Sequence, residues 1–166
     1  MKSTLKSLMA VALLVSITAW AGAQKTDFSG TWTLNAEKSA TGEGAPRRIA
    51  AKMTVEQKGD SLSIERLFKR SSGEETTATE KLTTDGKECV STVMDRPRTS
   101  TAKWSEDGKS LTIASKSVFE RDGNKVEMTS TETWKLSEDG KSLTVEAASS
   151  SPRGERKGTF IYDKAK

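Results

Sequence analysis

The sequence predicts an all-β fold, an antiparallel up-and-down meander barrel of about ten strands, after an N-terminal signal peptide. Three observations carry this expectation. Apolar and polar residues alternate over short runs rich in Thr, Ser, Val and Ile, while the spacing of an amphipathic helix is almost absent. Asp-Gly pairs punctuate the runs at Asp85-Gly86, Asp107-Gly108, Asp122-Gly123 and Asp139-Gly140. Such pairs suit tight hairpins because glycine accepts the positive φ that the turn requires. Connections after the first run are short, so consecutive strands should be antiparallel neighbours, and closing the meander removes its exposed edges.

The elements follow in order. Lys2 and Lys6 precede an apolar run from Leu8 to Trp20, which ends at the small residues Ala21-Gly22-Ala23. That is the pattern of a cleavable leader, and the run is too short for a comfortable membrane span. Cleavage is expected after Ala23, which makes 1–23 a signal peptide and leaves one barrel domain at 24–166 with Gln24 first. Strands are expected near 28–35, 50–58, 61–70, 74–83, 87–95, 98–105, 110–120, 124–136, 141–148 and 156–164. Gly59 and Gly73 mark further turns, and Pro97 and Pro152 mark breaks, since proline lacks the N–H of a central strand. The one long connection, 36–49, contains Gly42, Gly44 and Pro46 and reads as a flexible loop. Ser105-Glu106-Asp107-Gly108-Lys109-Ser110-Leu111-Thr112 returns as Ser137-Glu138-Asp139-Gly140-Lys141-Ser142-Leu143-Thr144. We read the echo as one turn solution used twice at the same end of the barrel.

Composition narrows function by exclusion. Removing 23 leader residues from 166 leaves 143, enough for one domain with a real core. Losing Lys2 and Lys6 lowers the formal charge from +4 to +2. The remaining bases are scattered among acids, without the basic stripe of a nucleic-acid footprint, so no nucleic-acid partner is expected. Nor is a membrane span expected once the leader is removed. Cys89 is the sole cysteine, expected to be buried and structural, and no internal disulfide can form. The chain has no histidine, which removes the commonest general base and metal ligand. Ser-His-Asp and Cys-His catalysis and Cys/His zinc sites are thereby excluded. No glycine-rich phosphate loop or nucleophile elbow is present. No enzyme activity, metal or cofactor is expected.

Alternation assigns faces. Met53 and Val55 share one; Leu62, Ile64, Arg66 and Phe68 share another. Val90, Thr92 and Met94 align. Leu111, Ile113, Ser115, Ser117 and Phe119 align, as do Val126, Met128, Ser130, Glu132 and Trp134. The last two sets are apolar at their ends and small or polar in the middle. If they face inward, they leave a partly wet cavity where a filled core would place Leu, Ile or Val; the alternative is that they are exposed flat strands. Arg66 lies between Ile64 and Phe68. Pointing inward, it needs an anion, either Glu132 or a ligand carboxylate. Otherwise it reaches the rim.

Phe28-Ser29-Gly30-Thr31-Trp32-Thr33-Leu34 opens the mature domain, followed by Asn35 and Lys38-Ser39. This G-x-W on the first strand resembles the calycin superfamily of lipocalins, fatty-acid-binding proteins and avidins, and most closely the bacterial exported proteins described as lipocalin-like. The likeness runs through the mature chain in strand order and is specific around 27–39. It implies that Trp32 closes one end of the barrel as a structural plug. The final Gly158-Thr159-Phe160-Ile161-Tyr162-Asp163-Lys164 is similar to the last strand of fatty-acid-binding proteins, whose carboxylate pattern is Arg-x-Tyr. Here Tyr162 matches, and Phe160 stands where the Arg would be.

These observations make a ligand-binding set of Arg66, Phe68, Phe119, Met128, Phe160 and Tyr162. The expected function is a periplasmic or secreted, non-enzymatic barrel holding a small apolar or amphipathic molecule. The alternative is a filled barrel acting as a protein-interaction or inhibitor module in the envelope.

Overall fold

The computed structural model describes residues 24–40, 44–46, 48–93, 96–121 and 123–165. The expected leader and its cleavage site lie outside the described residues, as do Met94 and Asp122. Ten strands follow in chain order: β1 (Gly30–Leu34), β2 (Lys52–Lys58), β3 (Ser61–Lys69), β4 (Glu75–Thr83), β5 (Cys89–Val93), β6 (Arg96–Trp104), β7 (Ser110–Arg121), β8 (Asn124–Leu136), β9 (Ser142–Ser151) and β10 (Gly154–Lys164).

They form one antiparallel sheet in the order β4-β3-β2-β1-β10-β9-β8-β7-β6-β5. The first and last strands pair, Trp32 opposite Lys164 and Leu34 opposite Tyr162, so the meander closes through its chain ends. The sheet curls until β4 approaches β5 and β6, and there the main-chain ladder stops. The result is a nearly closed barrel with one seam. Side chains bridge that seam: the Thr83 N–H donates to Cys89 Sγ at 3.4 Å, and Ser100 Oγ donates to Glu80 Oε1. Cys89 is half-buried, less enclosed than expected, because it sits on this open line rather than inside the core.

One end of the barrel is packed shut. Phe28, Trp32, Leu62, Ile64, Leu111, Ile113, Trp134 and Leu143 are fully buried there. The segment before β1 inserts Phe28, whose ring stacks on Trp104 at 5.6 Å and meets Trp134 edge-on at 5.7 Å. The Trp32 indole donates to the Phe28 carbonyl at 2.9 Å, which fixes the plug to the strand behind it. Gly30 has φ near +139°, and a Cβ there would lie 2.9 Å from Lys164 Cε. Glycine at this position lets Lys164 cross to the face of Trp32, where its ammonium sits 5.2 Å from the ring centroid.

The repeated octapeptide builds one turn twice. In each copy the first Ser N–H donates to the sixth residue's carbonyl, Ser105 to Ser110 and Ser137 to Ser142, at 2.9 and 2.8 Å. The first Ser hydroxyl donates to the Asp carboxylate, and that carboxylate accepts the following Lys N–H. Both turns lie at the plugged end, joining β6 to β7 and β8 to β9.

The connection between β1 and β2 is not free. Ala40 N–H donates to the Thr159 carbonyl at 2.9 Å, and Lys157 N–H to the Gly44 carbonyl at 3.0 Å. It lies on β10 because Gly158 presents no side chain: a Cβ there would meet Ala40 O and Pro46 Cδ, each at 3.3 Å.

Two further expectations are corrected. Pro97 falls inside β6, opposite Thr92. The β6–β7 ladder begins one residue later at Arg98, so the missing N–H interrupts no pairing with β7. Val90 is 77% exposed, because the inward face of β5 is that of Cys89, Ser91 and Val93.

Candidate functional site

The strand register grades the interior from full to empty. Across β6 to β10 the row at the plugged end reads Trp104, Leu111, Trp134, Val145 and Phe160. The next reads Ala102, Ile113, Glu132, Ala147 and Gly158. The third reads Ser100, Ser115, Ser130 and Ser149, ending at Arg156. Side-chain volume drops sharply after the first row, the third row is serine as far as Arg156, and a cavity of about 760 Å³ opens in the space left. The interior is therefore not filled.

All six residues of the expected ligand set line this cavity. Phe68 from β3, Phe119 from β7 and Met128 from β8 stand toward the mouth, with Met128 partly in solvent. Phe160 and Tyr162 from β10 are buried deeper. Trp32 does not line the cavity; it is fully buried at the plugged end.

The structure also shows what Arg66 is bound to. Its Nη1 lies 3.1 Å from Glu80 Oε2 and its Nη2 2.8 Å from Glu132 Oε2. Its guanidinium stands over Trp134, 5.8 Å from the ring centroid. Burial opposes the charge, but Glu132 and Glu80 outweigh it and hold the Arg66 pKa above its ordinary value. Burial likewise pushes the Glu132 carboxyl up, and Arg66, the Trp134 indole N–H at 3.0 Å and Arg98 more than reverse this, leaving it below the ordinary carboxylate range. Tyr162 donates its hydroxyl to the Ala50 carbonyl at 3.0 Å, and burial, then Glu132, push its pKa up. Arg66 gives one hydrogen bond to each of two carboxylates and Tyr162 gives its hydroxyl to a backbone carbonyl, so both have protein partners.

Three polar residues of this site were not picked out from sequence. Glu80 binds Arg66 and accepts from Ser100. Arg98 donates from Nη2 to Ser115 Oγ at 2.9 Å and to Ser130 Oγ at 3.4 Å. Ser100 and Ser115 hydroxyls lie 2.9 Å apart. A signal did exist: Thr76, Ala78, Glu80 and Leu82 alternate in β4, as do Arg98, Ser100, Ala102 and Trp104 in β6. Each run has too few apolar residues to declare its inward face. Among the described residues, no group of three or more Cys, Asp and Glu converges on a point where a metal ion would be held.

No family model matches the chain, and no curated protein does. A solved structure to which it is similar is the zebrafish ileal bile acid-binding protein complexed with cholic acid. That likeness covers 83% of this chain and 98% of the other at 15% identity, with a TM-score of 0.38. At that score it bears on neither ligand nor mechanism.

Proposed function

We propose that this chain is an exported, calycin-type, non-enzymatic barrel that holds a small, partly apolar molecule in its open end. The observation that carries the proposal is the cavity itself. Its volume of about 760 Å³ suits a small organic ligand, and it combines Phe68, Phe119, Met128 and Phe160 with a limited set of polar groups. The filled-barrel alternative gains nothing from the interior, where dense packing is confined to the plugged end. The wall also favours binding over catalysis. Glu80, the carboxylate that accepts from the Ser100 hydroxyl, is tied into an ion pair with Arg66. The N-terminal leader pattern and the G-x-W opening support export and the calycin assignment.

The test uses the neutral dye phenylnaphthylamine, whose emission rises in apolar surroundings. Purified protein should enhance it saturably, and native mass spectrometry of protein taken from its source should show a co-purifying small molecule. No enhancement at any accessible concentration, together with a bare-chain mass, would remove the proposal.

A further inference from the structure

The cavity wall mixes apolar and polar residues, and the polar ones include a continuous row. Met53 and Phe68 face it from β2 and β3, and Val145, Ala147 and Phe160 face it from β9 and β10. Strands β6 to β8 present Arg96, Arg98, Ser115, Ser117 and Ser130, and the serine row continues through Ser149 to Arg156.

Charge on this wall is unbalanced. Arg66, Arg96, Arg98, Arg153 and Arg156 line the cavity, whereas the carboxylates at hand are Glu132 on the wall and Glu80 behind it. Both carboxylates are bound by Arg66. Arg98 reaches Glu80 only through Nε at 3.5 Å, and that buried nitrogen makes no hydrogen bond among the described residues. Arg96 stacks on Phe119 at 4.0 Å, and Arg156 donates from Nη1 to the Ala45 carbonyl at 3.3 Å. Among the described residues, Arg96, Arg153 and Arg156 have no carboxylate partner.

Deepening the cavity reading on which it rests, we propose that the ligand is an acidic amphiphile whose anionic group lies on the Arg98–serine wall. Arg98 and Arg156 supply charge, and the hydroxyls between them supply short neutral donors. Guanidinium donors in a partly desolvated wall favour a planar or tetrahedral oxyanion over any neutral oxygen. The apolar body then lies across the cavity against Phe68 and Phe160. This places acid recognition away from Arg66, whose charge is paired with two carboxylates, and from Tyr162, whose hydroxyl is bonded to the Ala50 carbonyl.

A matched pair of dyes tests the proposal. Anilinonaphthalene sulfonate is phenylnaphthylamine with one added sulfonate, so the difference in their affinities isolates the anion. The protein should bind the sulfonate at least about tenfold more tightly. Arg98→Gln should remove most of that preference, and an unchanged far-ultraviolet spectrum checks that the variant is folded. Arg156→Gln and Ser149→Ala, which disturb no buried ion pair, should each reduce the preference by a smaller factor. Lys81→Gln on the exposed outer face of β4 makes the same charge change and should do nothing. Equal affinity for the two dyes would overturn the anion site while leaving the cavity reading in place. An equal loss from Lys81→Gln would also overturn it, by tracing the preference to a diffuse field. If neither dye binds, the cavity reading itself fails and this inference falls with it.

Discussion

Arg66 ties three strands together through side chains alone, joining β3 to Glu80 on β4 and to Glu132 on β8. A buried pair of this kind adds little over a well-packed apolar substitute, but breaking it leaves uncompensated charge. Arg66→Ala would take away the guanidinium paired with both carboxylates, and urea unfolding near neutral pH should show a loss of about 3–5 kcal/mol. An unchanged midpoint would mean that water already satisfies both carboxylates. Trp32→Ala empties a site with no exposed surface and should cost about 3–5 kcal/mol by the same measurement. Residues differ in how far sequence reveals them. The inward turn of Arg66 was readable because Ile64 and Phe68 flank it on one face, and Glu132 was readable because Met128 and Trp134 frame its set. Glu80 was not, because its neighbours on that face are Thr76, Ala78 and Leu82, and one large apolar residue does not define a period. Arg98 was hidden behind Pro97, which reads as a break and not as the second residue of a strand.

At the level of elements, the hairpins were legible because Asp-Gly pairs and alternating runs depend on local chemistry. The matched turns at Ser105 and Ser137 show this most clearly, since identical octapeptides close identical hydrogen-bond patterns. Where β4 and β5 part company was not legible. That depends on how ten strands wrap, and β4 and β5 carry no sequence mark of it. The seam makes an element-level prediction. Amide protons of β4 and β5 lack ladder partners on one side, so hydrogen exchange should reach them before β7, β8 and β9, which pair on both sides. Ser100→Ala removes a hydroxyl that reaches Glu80 across the seam, and it should speed exchange in β4 specifically. Uniform exchange around the barrel would show that side chains close it as firmly as a ladder does.

For the whole molecule, stability against pH follows from the absence of histidine and the position of the carboxyls. Glu132 is held below its ordinary pKa by neighbours that outweigh its burial. Hydrogen bonds from Ser29, Lys25, Lys87 and Asn35, respectively, lower Asp27, Asp60, Asp85 and Asp163. Groups depressed in the folded state stabilise it above their unfolded values, and that contribution is lost as pH falls through the folded ones. Tyr162 is raised, so its contribution is present below its unfolded pKa and fades as pH rises past about 10. The urea midpoint should be level from about pH 5.5 to 8, fall below about pH 4 and fall again above about pH 10. A step near neutrality would contradict this charge assignment. Export belongs to the same scale: expressed with residues 1–23 in place, the proposed exported protein should be recovered outside the cytoplasm with Gln24 first, as intact mass will show. Retention of residues 1–23 in the membrane fraction would defeat that expectation.

The seam has a mechanical consequence. A barrel closed all round by main-chain hydrogen bonds has a circumference fixed by strand number and stagger, and widening it means tearing a ladder along its whole length. This one is fastened along one line by Glu80, Ser100, Thr83 and Cys89, contacts that rotamer changes can loosen one at a time. Its girth is elastic where a fully laced cylinder is rigid. Guests of different width should therefore strain it locally, at β4 and β5, while the opposite wall of β7 to β9 keeps its shape.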